Sequence, residues 1–142
     1  MAKKSPGEQR NFVYAGGHAI PVESLLHFYY LKVFENQWES LGLREADLAE
    51  AEELIMLQGR YSPIIPETYG LRKMRFSPTR LPQGKSGAYR ICFVFFERFG
   101  CVLMVTVYGK SQQENLSQKF RQGMRMLIER AEKAFELRMP KK

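Results

Sequence analysis

Hydrophobic and polar positions alternate differently in successive parts of the chain, and the changes mark its elements. In "LRKMRF", residues 71–76, Met74 and Phe76 share one side while Lys73 and Arg75 share the other. That period of two predicts a half-buried strand with a cationic outer face. "AYRICFVFFE", 88–97, and "CVLMVTVYG", 101–109, are nearly continuous apolar runs joined by "RFG". They predict two central strands of a hairpin, covered on both faces. In "READLAEAEELIMLQ", 44–58, Leu48, Ala51, Leu54, Ile55 and Gln58 recur at helical spacing, with acids on the solvated side and Gly59 as the stop. "QQENLSQKFRQGMRMLIERAEKAFELR", 112–138, predicts a long helix with Leu116, Phe120, Met124, Leu127, Ala131 and Phe135 as its apolar stripe and Gly123 as a local weakness.

The earlier part of the chain is less regular. "LLHFYYLKVF", 25–34, is rich in aromatic and β-branched residues, and it predicts a strand over 27–33. A short helix through "ENQWESL" follows, with Trp38 as a packing residue, and Gly42 ends it. Residues 60–70, with two prolines and a glycine, and 77–87, with two prolines and two glycines, predict loops. Residues 1–20 predict a flexible arm. A single domain over 21–142 follows, of the α+β class, with helices packed on a small, mostly antiparallel sheet.

The 142 residues are 44% hydrophobic, enough for one buried core. No run approaches the ~18 apolar residues of a membrane span, and the first twenty lack the apolar stretch of a secretory signal. This predicts a cytoplasmic protein with no membrane partner. Cys92 and Cys101 lie in apolar runs, which predicts buried thiols. His18 and His27 have no ligand partners at metal spacing, "AGGHAI" lacks the lysine and context of a phosphate loop, and neither cysteine has a catalytic neighbour. No cofactor is expected.

Charge changes the picture more than composition does. The net charge is +7, but residues 23–67 hold nine acids against three bases, and residues 68–96 hold six bases and no acid. Segregation of this kind predicts a face for a polyanion, against the plainer alternative of a solvated charged surface. Lys73 and Arg75 on one strand, Arg90 on the next, and Tyr108 with Lys110 at the end of the third can converge in an antiparallel meander. Such a surface can neutralise phosphates and stabilise the charge that develops at phosphorus. RNA brings its own nucleophile, the 2′-hydroxyl.

Three stretches, "IIPETYGLRKMRF", "GKSGAYRICFVFF" and "VLMVTVYGKSQQENLS", resemble the RelE/ParE superfamily of type II toxins, in its HigB-like, phage-derived branch. The resemblance covers about residues 28–137. It implies two N-terminal helices, a small antiparallel sheet and a C-terminal helix. It implies a ribosome-dependent messenger-RNA endoribonuclease that uses no metal, with a cognate antitoxin as partner. By motif, Lys73 and Arg75 match the basic strand pair, Arg90 the arginine at the scissile phosphate, and Lys110 the basic residue after the last strand. With Tyr108, the first three form the candidate catalytic set. Arg72, Arg80, Lys85 and Lys110 are candidate RNA contacts, although Arg72 shares its face with Met74. Ser111 and Ser117 stand where RelE has an arginine and a tyrosine. The same fold serves gyrase-inhibiting ParE-like toxins, and a non-catalytic nucleic-acid-binding module is the third alternative.

Overall fold

The computed structural model describes residues 12–15, 18–21, 25–81, 88–109 and 117–138. The fold is α+β, with three helices and a four-stranded mixed sheet as its body. In chain order the elements are β1 (Phe12–Ala15), β2 (His18–Pro21), β3 (His27–Tyr30), α1 (Lys32–Ser40), α2 (Glu45–Gln58), β4 (Leu71–Phe76), β5 (Tyr89–Phe96), β6 (Cys101–Gly109) and α3 (Gln118–Arg138). Of the stretch expected to be an arm, β1 and β2 pair as an antiparallel ribbon, and Ile20 is fully buried.

The main sheet has the order β3-β6-β5-β4. The meander β4-β5-β6 is antiparallel, as the apolar runs predicted, and β3 adds to it in parallel beside β6. Core side chains cover both faces. On one side, α1 and α2 bring Phe34, Trp38, Ala51 and Ile55 against Met74, Phe76, Ile91, Phe93 and Met104. On the other, α3 lays Met124 and Ile128 against Leu71, Cys92, Val94 and Leu103. Both cysteines are buried and neither forms a disulfide, and burial pushes the Cys101 thiol above its ordinary pKa, so it packs as an apolar group.

Three expectations need correction. The first strand stops at Tyr30 instead of running to residue 33. Leu31 donates its N–H to the Met104 carbonyl, and its own carbonyl then accepts from Glu35, which starts α1. The helical turn sets Phe34 and Trp38 on one side, where Trp38 stacks between Phe34 (5.6 Å) and Phe76 (6.1 Å). Second, the acids of α2 are not all solvated: Asp47 and Glu53 are buried, while Gln58 is exposed. Third, α3 is centred on Met124 and Ile128, one turn apart. Phe120, Leu127, Ala131 and Phe135 flank that line half-buried; Leu116 lies outside the described residues.

Two turns fix where the strands begin. Gly100 takes a left-handed conformation (φ 62°) between β5 and β6, which suits glycine. Before β4, the loop 65–70 carries Glu67 and Tyr69 at φ 64°. For residues other than glycine this is strained backbone, so neighbours must hold it. Thr68, fully buried, does so by donating to the Ile65 carbonyl (2.6 Å) and accepting from the Leu71 N–H (3.1 Å). From α3, Arg121 donates to the Pro66 carbonyl and Arg125 to the Tyr69 hydroxyl.

Candidate nucleic-acid interface

The register of the meander places the predicted residues. Arg75 on β4 stands opposite Arg90 on β5, and Arg90 stands opposite Tyr108 on β6. The three make one row straight across the sheet. Neighbouring strands lie about 4.8 Å apart, so the row spans about 10 Å. Lys73 belongs to the same face, two residues back along β4, in the row Lys73–Cys92–Thr106. Two residues of strand are about 6.6 Å, so its ammonium stands a short step from the two guanidinium groups. Lys73 and Arg75 are exposed, while Arg90 and Tyr108 are half-buried. Arg90 donates one Nη hydrogen bond to the Ala88 carbonyl (3.0 Å), which steadies its stem at the strand entrance.

The electrostatics of this face are one-sided. Two arginines directly opposite each other across a strand pair repel, where an acid opposite would attract. None of β4, β5 and β6 contains an aspartate or glutamate. A guanidinium presents five N–H donors in a planar fork suited to phosphate oxygens. An anion bridging Arg75 and Arg90 would relieve their repulsion.

A bulge makes the row possible. From Phe93↔Met104 to Cys92↔Thr106 the pairing advances one residue on β5 and two on β6, leaving Val105 as the extra residue. Without it, Val107 would stand opposite Arg90, and Tyr108 would turn to the face packed by α1 and α2. The bulge occurs just where β3 has ended and α1 has taken its place beside β6. There the Gln37 side-chain oxygen accepts from the Val107 N–H (3.1 Å) and the Thr106 hydroxyl (2.8 Å). The outer edge of β4 is also fastened: Lys73 donates its N–H to the Pro63 carbonyl, and Leu71 accepts from the Ile65 N–H. Paired on both sides, β4 holds its two cations at fixed positions.

The remaining candidates are placed elsewhere. Arg72 takes the opposite face and donates to the Ser62 carbonyl (2.7 Å). Arg80 is not brought to the row. Its guanidinium forks onto Asp47, with Nε at 2.9 and 3.0 Å and an Nη at 2.7 Å, and donates to the Gly42 carbonyl. Asp47 also accepts from the Arg44 N–H at the start of α2 (2.8 Å). The Arg80 guanidinium therefore holds the Asp47 carboxyl below its usual value, against the opposing effect of burial. Glu50 adds a second tie, accepting from the N–H and hydroxyl of Thr79. Two acids of α2 thus dock the 77–81 segment. Lys85, Lys110 and Ser111 lie outside the described residues. Ser117 caps α3, accepting from the Phe120 N–H (3.1 Å), which is an ordinary role for serine at a helix start.

A cavity of about 330 Å³ lies at the opposite end of the sheet, lined by Tyr69, Arg72, Phe99 and Glu132 among others. Among the described residues, no group of three or more His, Cys, Asp or Glu is placed to hold a metal ion, and no helix is long and apolar enough to cross a membrane. No family model matches the chain.

Sequence reasoning found the members of the row but missed what aligns them. Gln37 sits between Phe34 and Trp38 with no neighbouring signal, and nothing in "VLMVTVYG" marks Val105 as the extra residue.

Proposed function

We propose that this protein is the toxin of a type II toxin–antitoxin pair, a HigB-like member of the RelE/ParE superfamily that cuts messenger RNA on the ribosome. The observation that carries the reading is the row Arg75–Arg90–Tyr108 with Lys73 beside it, on a strand face free of acids. The α+β architecture and the stretches that resemble the family support it. In this reading the 2′-oxygen of one nucleotide attacks the adjacent phosphorus. A P–O2′ bond forms and the P–O5′ bond breaks, leaving a 2′,3′-cyclic phosphate and a 5′-hydroxyl. Arg75 and Arg90 straddle the phosphate and stabilise its added charge. Lys73, as an ammonium, holds the neighbouring backbone, a water takes up the 2′-hydroxyl proton, and the Tyr108 hydroxyl, at the end of the row, supplies a proton to the departing 5′-oxygen. No metal or organic cofactor has a part. The protein acts in the cytoplasm, where ribosomes are, and its antitoxin partner is an acidic protein that covers the basic face.

The test is a cell-free translation reaction with labelled messenger, mapped by primer extension, with a Lys73→Ala/Arg90→Ala double variant beside it. Cuts that appear only during translation, and vanish with the double variant, are the expected result. Intact messenger would refute the reading, and inhibition of DNA supercoiling would then favour the gyrase-directed alternative.

A further inference from the structure

We infer that Gln37 is a positioning residue for the row: it holds the β6 bulge, and through the bulge it keeps Tyr108 opposite Arg90. The consequence for catalysis rests on the RNA-cutting reading, whereas the geometric claim does not.

The argument begins with hydrogen bonds at the sheet edge. β3 pairs with β6 only as far as Tyr30↔Met104, and the last bond on that side runs from the Leu31 N–H to the Met104 carbonyl. Beyond Met104 the outer edge of β6 has no strand beside it among the described residues. Val105, Thr106 and Val107 are all buried, and a buried N–H left without a partner is costly. Gln37 meets that need. An N–H can only donate, so the Gln37 atom facing Val107 is the amide oxygen, and the same oxygen accepts from the Thr106 hydroxyl. One side chain thus gathers two successive residues of β6 on the strand's outer edge. The direction of the Val107 N–H is the mark of the bulge: Gly100 and Met104 turn their carbonyls to the outer edge, so in a regular strand the even-numbered residues would face outward and the Val107 N–H would turn towards β5, whereas here it points out to Gln37. Gln37 is itself held by its helix, since Phe34 and Trp38 on either side of it are anchored in the core.

The alternative register is specific. If the bulge relaxed, Arg90 would pair with Val107, and the tyrosine would leave the cationic face. Lys73 and Arg75, on β4, would stay where they are. RNA would still be held, but the hydroxyl at the end of the row would be lost.

The test compares the wild type with Gln37→Met, which keeps the length of the side chain but replaces the amide oxygen by a far weaker acceptor, and with Gln37→Glu, which restores an accepting oxygen. Nuclear Overhauser contacts report the register directly. The wild type and Gln37→Glu are expected to link residues 90 and 108. Gln37→Met is expected to lose that link or shift it to residues 90 and 107, with faster hydrogen exchange of the Val107 amide. In the messenger-cutting assay Gln37→Met is expected to lower kcat by about a hundredfold with little change in KM, as misplacement of a reacting group does. Gln37→Glu should recover most of that loss, and Gln37→Met should cost nothing further once Tyr108→Phe is in place. A Gln37→Met protein that keeps the 90–108 contacts overturns the proposal, as does a Gln37→Glu protein that fails to restore them. Should Gln37→Met not fold, Thr106→Val takes its place, since it removes one of the two donors. Unchanged contacts and unchanged Val107 exchange in that variant would reduce Gln37 to a tie between helix and sheet. If the wild type cuts no messenger, the RNA-cutting reading falls, and the register measurements still decide the role of Gln37.

Discussion

Replacing Arg75 by glutamine removes one charge from the row while keeping a polar side chain of similar reach. If Lys73, Arg75 and Arg90 each neutralise one phosphate of a single strand, the logarithm of affinity should fall with the logarithm of salt at a slope of about −2.1. Between 50 and 200 mM salt that is a loss of roughly twentyfold for the wild type, and roughly sevenfold for Arg75→Gln, whose slope falls to about −1.4. The difference of about 0.7 between the two slopes is the diagnostic quantity, because cations elsewhere on the protein add equally to both. The assay is fluorescence anisotropy with a labelled 2′-O-methyl RNA octamer, whose blocked 2′-oxygen prevents cutting. Arg75 is exposed, so thermal stability should change by no more than about 0.5 kcal/mol, and a loss of binding cannot be ascribed to unfolding. Equal slopes for the two proteins would refute the reasoning: Arg75 would then touch no phosphate, and the row would be a solvated strand face.

Other outcomes follow from the surrounding structure. Asp47→Asn should lower thermal stability at neutral pH. Arg80 depresses the folded-state carboxyl pKa below the ordinary 3.8, so this stabilisation is present above about pH 4 and lost as pH falls through the folded value. Denaturant midpoints between pH 2 and 7 should therefore converge for the two proteins at the acid end. Gly123→Ala should stabilise the protein by about 1 kcal/mol, or about 3 °C in Tm, because the position is helical, exposed, and open around an added methyl group; calorimetry checks this. Thr68→Val should cost about 1–3 kcal/mol in urea unfolding, since it leaves the Leu71 N–H without its acceptor inside a buried loop.

Much of the architecture was legible in the residues because it depends on local periodicity. The alternation in "LRKMRF" put Lys73 and Arg75 on one face, and the two apolar runs announced central strands. Those signals arise from side chains a few residues apart, and burial of one face enforces them. The boundary between β3 and α1 was less legible, since "FYYLKVF" suits either state until Phe34 and Trp38 find Phe76. The fates of like residues were not legible at all. Arg75 and Arg80 are five positions apart in one acid-free stretch, yet one is exposed in the row and the other is forked onto Asp47, thirty-three residues earlier in the chain. Charge counts sum such residues, whereas only packing shows which acid lies within reach.

The sequence by itself determined the α+β class, the two thiols buried in strands and the acid-free basic segment. Tertiary structure decided that Arg75, Arg90 and Tyr108 form a row. That alignment depends on a single unpaired residue in β6. In a lone strand it has no local advantage, because every position could equally stay in register. It becomes favourable only when α1 ends the neighbouring strand and offers Gln37 to the hydrogen-bond donors left there. A contact between residues 37 and 107 leaves no periodic trace in the chain, and for that reason it had to be seen in the folded protein.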